Sequence, residues 1–131
     1  MPKPRKPARK TLIKALDNLA KLVAKERDKW ICQKCGKEVH GKSAHGSHVI
    51  PVARGHRLRW ENTNIKCLCS YCHRRFWHSN PVEAGEWFKA KFPKRWAAIE
   101  SMLGDKKRFS TAELEELRQD LSRKLKRLRS R

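Results

Sequence analysis

The chain has no apolar run longer than four residues, so it offers nothing like the roughly 18 or more consecutive apolar residues a membrane helix needs. Its first residues carry no apolar stretch of the kind a secretory signal requires, and a cytoplasmic protein with no membrane partner is expected. Acidic residues are also scarce, with 13 Asp and Glu against 33 Lys and Arg, a formal charge of +20 and a pI near 10.4. Such an imbalance calls for a polyanionic partner, because each Lys or Arg set on a phosphate releases a condensed counterion. Nucleic acid leads. An anionic membrane surface is the weaker alternative, since the only basic amphipathic helix lies at the C-terminal end. A length of 131 residues with 38% hydrophobic content supports one domain with one small core.

The chain divides into three parts. Residues 1–10 hold five basic residues and three prolines without an acid, which predicts a disordered basic arm. From Thr11, a candidate N-cap, Leu12, Ala15, Leu16, Leu19, Leu22 and Val23 recur at helical spacing and predict a helix running to Arg27. Residues 28–79 contain every Cys and every His and read as loops and short strands around a metal. In that stretch Ser47–Val52 predicts a hairpin or Ω-loop, and a helix is expected from Asn64 through the second cysteine pair. Asn80-Pro81-Val82-Glu83 starts a further helix, interrupted at Pro93 and closed by Gly104. Ser110-Thr111-Ala112-Glu113 is a capping box opening the last one. The expected domain therefore covers 11–104, followed by a basic amphipathic helix within 105–131.

Five cysteines do not fit a fully paired disulfide framework, and four of them form two Cys-x-x-Cys pairs: Cys32 with Cys35, and Cys69 with Cys72. Two-residue spacing lets both thiolates of a pair face one ion while backbone N–H groups reach the sulfurs, and Gly36 eases the turn. The expectation is a closed, structural Zn²⁺ site of four thiolates. Cys67 reads as a small buried hydrophobe, with an exchanged-ligand role as the alternative.

All six histidines fall between positions 40 and 78, unlike scattered core usage. The order Cys-x-x-Cys, Ser47-His48-Val49-Ile50-Pro51, then Asn64-Ile65-Lys66-Cys67-Leu68-Cys69-Ser70-Tyr71-Cys72-His73 resembles the HNH nucleases. The helix ending Lys25-Glu26-Arg27-Asp28, His45-Gly46-Ser47-His48 and Leu58-Arg59-Trp60-Glu61-Asn62-Thr63-Asn64-Ile65 extend the resemblance to the NinG (Rap) recombination endonucleases of lambdoid phages, over residues 12 to 92. It implies an α+β fold: a small ββα-metal HNH core stapled by the zinc site and flanked by N- and C-terminal helices. It further implies a phage or prophage protein in a bacterial host cell, acting on branched or single-strand-containing DNA such as a Holliday junction.

By the resemblance His48 is the general base, His73 a ligand of a catalytic Mg²⁺ or Mn²⁺, and Asn64 the residue holding the loop that carries His48. The chemistry is consistent with those residue types, because phosphodiester hydrolysis needs an activated water, a cation on the phosphate oxygens and fixed geometry. One departure stands out. Many HNH enzymes carry an acid just before the base, and here that residue is Ser47, so His45 becomes a second candidate metal ligand. His40, His56 and His78 read as surface or capping residues.

Arg54, Arg57, Arg59, Arg74 and Arg75 flank the expected site and are candidate phosphate contacts, with a solvated basic surface as the alternative. In the last helix Leu114, Leu121 and Leu128 lie seven apart, which permits a homodimer seam or packing on the chain's own helices. The rivals to a recombination endonuclease are a non-catalytic zinc-stapled nucleic-acid-binding module, and an HNH nickase or nonspecific nuclease of phage packaging or defence.

Overall fold

The computed structural model describes residues 8–131, so most of the expected N-terminal arm lies outside the described residues. Helix α1 spans Arg9–Arg27, and Arg9 and Lys10 therefore belong to it. Thr11 is not its cap: Ala8 holds the N-cap position and contributes no side-chain bond. Two five-residue strands follow, β1 Ala44–His48 and β2 Ile65–Cys69, paired antiparallel with Ser47 opposite Lys66 and His48 opposite Ile65. A π-helical segment occupies Cys72–His78, and α2 Pro81–Lys91, α3 Pro93–Met102 and α4 Thr111–Arg129 complete the mixed α+β architecture.

The helix expected from Asn64 starts only at Ser70, from where it runs through Cys72 into the π-helical segment, and Ile65–Cys69 before it is strand β2. All five of its residues are buried, because α1 packs against the sheet and the π-helical segment packs against β2. A strand covered on both faces loses the apolar–polar alternation that marks a strand in sequence. The anticipated hairpin from Ser47 also differs: β1 stops at His48, and Pro51 caps a short 3₁₀ turn at Val52–Arg54. Asn80 precedes α2 as expected with Pro81 in its first turn, but its side chain donates to the Arg75 carbonyl at 3.1 Å instead of capping the helix.

Helix α1 is the organising element. One face packs on α4, where Leu12, Leu16, Ala20, Leu114, Leu121 and Leu125 form a buried cluster with Trp60 and Ile65. The leucine stripe of α4 is thus covered by the chain itself, the alternative to a dimer seam. Arg9 donates to the Phe109 carbonyl at 2.6 Å while Arg131 donates to that of Glu26 at 3.0 Å, so the two helices run parallel. The capping box is formed, with Ser110 and Glu113 exchanging bonds of 3.0 and 3.1 Å.

Beneath the sheet the approach of α1 is close. A Cβ on Gly46 would stand 2.6 Å from Cγ of Lys21, so only glycine admits the helix there. At the end of α1 buried Asp28 takes two bonds from Arg27, lies 3.7 Å from Arg95 and accepts the Cys67 N–H at 2.9 Å. That single carboxylate joins α1, β2 and α3.

Candidate functional site

The turns that carry the cysteines are built for a shared ion. Gly36, with φ of 78°, closes the first pair in the left-handed region that glycine occupies at little cost. Cys32, Cys35, Cys69 and Cys72 place their sulfurs within 4.8 Å of one another, and the Cys35 and Cys69 sulfurs stand 3.8 Å apart. A tetrahedral ion with metal–sulfur bonds of about 2.3 Å has edges of about 3.8 Å, so the four residues fit a metal centre. Burial opposes ionisation of Cys32, yet backbone N–H groups of Cys35, Cys69 and Lys34 outweigh it and bring the thiol down to about 7. Cys67 stands outside the group. It is fully buried, and burial first, with Asp28 beside it, pushes its thiol up to about 12.

His48 closes β1. Its Nε2 lies 2.9 Å from the Arg59 carbonyl, which only accepts, so Nε2 carries the proton and Nδ1 keeps a free lone pair. Burial holds its pKa below the ordinary histidine value, partly offset by the Arg59 carbonyl. Arg59 itself is fixed by a two-pronged pair with Asp17 at 2.8 and 2.7 Å, and Trp60 donates to the same carboxylate at 2.8 Å. Burial pushes the Asp17 carboxyl up, but these partners prevail and hold it below its usual value.

Asn64 is completely buried. Its Oδ1 accepts the Ile50 N–H at 2.8 Å, and its Nδ2 donates to the carbonyls of Ile50 and Leu58 at 3.0 and 2.9 Å. The loop after His48 is therefore tied to the start of β2 at both of its ends.

His73 follows Cys72 on the π-helical segment. Its Nδ1 is 2.8 Å from Nδ1 of His45, and its Nε2 is 3.0 Å from Nε2 of His78. The i→i+5 bonding of a π-helix is what brings His73 and His78 together. Donor and acceptor roles follow from the far end, where Nε2 of His45 donates to the Lys42 carbonyl at 3.1 Å. In neutral rings His45 Nδ1 then accepts from His73 Nδ1–H, and His73 Nε2 accepts from His78 Nε2–H. Burial, then the neighbouring His78 and His45, lowers the His73 pKa to about 4, in keeping with a neutral ring.

A cavity of about 580 Å³ is lined by His48, His73 and His78 but not by His45. His78 reads in the sequence as a surface or capping residue, and the π-helical spacing that brings it to the cavity leaves no sequence mark. Ser47 faces Lys66, whose amine is fully buried, 3.0 Å from the Ser47 hydroxyl and 3.2 Å from the centre of the Trp77 ring. Burial drives the Lys66 pKa well below its ordinary value, only partly countered by Asp28.

The arginines separate into groups. Arg59 is committed to Asp17, and Arg57 pairs with Asp105 at 2.9 Å and Glu61 at 3.6 Å. Arg54 is exposed beside His56, Lys106, Lys107 and Arg108 around a second cleft. Arg74 and Arg75 are exposed on the π-helical segment.

No curated protein and no solved structure matches the chain. Residues 32–89 match the model of a family described as HNH endonuclease, a segment that holds both cysteine pairs, both strands and all six histidines, and the match supports the HNH family for it.

Proposed function

We propose that the chain is a metal-dependent endonuclease that hydrolyses DNA phosphodiester bonds, with branched or single-strand-containing DNA as its substrate in phage recombination. The observation that carries this reading is that His48, whose Nε2 is taken by the Arg59 carbonyl so that Nδ1 keeps its lone pair, lines the cavity that His73 and His78 also line. His48 takes the proton from the attacking water, and its Nε2–H anchor on Arg59 keeps the ring from turning. Asn64 acts as a positioning residue by fixing the loop that follows His48.

The residues present fit a catalytic divalent ion. The Nε2 atoms of His73 and His78 stand 3.0 Å apart, and both residues line the cavity, a donor pair of the kind a divalent ion takes. His73 and His78 would hold it through Nε2, with His78 in its Nδ1–H tautomer in place of the Nε2–H form of the ion-free pair, while His45 receives the other ring proton of His73 and orients it. The ion supplies charge stabilisation on the phosphate oxygens. Two imidazole ligands favour Mn²⁺ over Mg²⁺. The four-cysteine centre takes Zn²⁺ and has no chemical step to perform, because its sulfurs fill a tetrahedral shell.

The test incubates wild type and His48→Ala with a labelled four-way junction and with linear duplex, each with Mg²⁺, Mn²⁺ or EDTA. Metal-dependent cutting lost in His48→Ala is the expected result, with the junction cut faster than the duplex. Binding by both proteins without cutting in any metal would establish the zinc-stapled binding module instead.

A further inference from the structure

The cavity beside His48 is largely apolar, and phosphodiester hydrolysis gives no reason for that. Besides the histidines its walls include Val49, Ile50, Trp77, Phe88 and Trp96, and two lysines, Lys21 and Lys89, also border it. A phosphate is all oxygen at its surface and leaves such walls unsatisfied. A stacked duplex presents phosphates and sugars on its outside and keeps its apolar base faces covered. The one part of a DNA strand that is flat, apolar on its faces and attached next to a phosphate is an unstacked base.

We infer that this cavity receives an unpaired base of the DNA strand, held against the Trp77 and Trp96 side chains while the neighbouring phosphate meets His48, His73 and His78. The volume of about 580 Å³ lies within the range of sites that enclose small organic groups. Charge complementarity points to a strand as the source of the base. Lys89 is exposed with its ammonium 4.7 Å from the centre of the Trp96 ring and 3.8 Å from Glu86, a solvated pair from which a backbone phosphate can draw the cation at the aromatic surface itself. A base that is already unpaired enters without the few kcal/mol a duplex must spend on unstacking, which supplies a physical origin for preferring branched or single-stranded regions. The inference rests on the endonuclease reading for the identity of the strand and for the position of the scissile bond.

Gly85 offers a clean probe. It lines the cavity from α2, and a Cβ added there meets no atom within 4 Å, so a larger side chain projects into open space without forcing the helix. Zinc-loaded His48→Ala protein is titrated by fluorescence anisotropy with a labelled single-stranded oligonucleotide, and with the same sugar–phosphate chain carrying abasic residues. About tenfold tighter binding of the intact strand is expected. That difference should disappear when Gly85→Leu is added, and shrink with Trp96→Ala. Equal affinity for the two strands, or a difference that survives Gly85→Leu, would overturn the inference. So would a deoxynucleoside monophosphate competing as strongly as the strand, which would make the cavity a free-nucleotide site. Cleavage assays separate the two readings. Base discrimination without cutting in any metal sinks the nuclease and keeps the pocket, and cutting without base discrimination sinks the pocket alone.

Discussion

At the scale of single residues, His48 is oriented by a carbonyl, not a carboxylate, so its partner adds little to its basicity while burial subtracts from it. The sign follows directly. A base whose pKa is lowered stays neutral, and so competent, to lower pH than an ordinary histidine of about 6.5. The acid limb of a kcat/KM profile is expected below that value, and a limb at or above it would show that another group limits the rate. Asn64→Ala removes three hydrogen bonds, leaving the Ile50 N–H and the Ile50 carbonyl without partners and the Leu58 carbonyl with only the Glu61 N–H at 3.4 Å, for a loss of about 3 kcal/mol in urea unfolding. Asn64 and His48 were legible in the sequence because their order relative to the cysteines resembles a known pattern. Lys66 was not, because a lysine inside a short run says nothing of burial until β2 is known to be covered on both faces. Arg59 reads in the sequence as a candidate phosphate contact, and sequence order cannot show that Asp17, 42 positions earlier, takes its guanidinium.

Among elements, the two cysteine turns and the strands between them depend on one another. The pairs are separated by 33 residues, and the buried cluster around them consists of Cys32, Val39, Ala44, Cys67, Leu68, Cys69 and Cys72, too little apolar surface to order that loop unaided. Stripping a metal from the four-cysteine centre should therefore unfold this region and, on the proposed nuclease reading, abolish cutting with it. One zinc per chain is expected by atomic absorption, retained in Cys67→Ser and lost in Cys69→Ser. Loss of cutting in EDTA then has two causes, and restoring Zn²⁺ before Mg²⁺ or Mn²⁺ separates them. Element boundaries set by local chemistry were readable: the capping box at Ser110, the break at Pro93 and the leucine spacing of α4. The π-helical segment was not. Its extra residue per turn is fixed by what Cys72 and His78 must each reach, and no propensity encodes it.

For the molecule as a whole, α4 clasps α1, and α1 carries the pair onto the sheet. Leu121→Ala opens that contact at its middle and should cost about 2–4 kcal/mol, read as a lower urea midpoint. An unchanged midpoint would mean that α4 contributes little to the fold. The clasp was half legible, since the sequence showed two apolar stripes but not that they face each other. The parallel course of the two helices also sets an order of events in time. Roughly 80 residues separate the end of α1 from the start of α4. At translation speeds of about 5–20 residues per second, α1 waits on the order of 4–16 s with its apolar stripe uncovered before its partner is made. Because the same helix braces the strand that ends in His48, a nascent chain holds His48 in an unfinished frame during that interval, and on the proposed nuclease reading cutting is expected only after synthesis has passed the last helix.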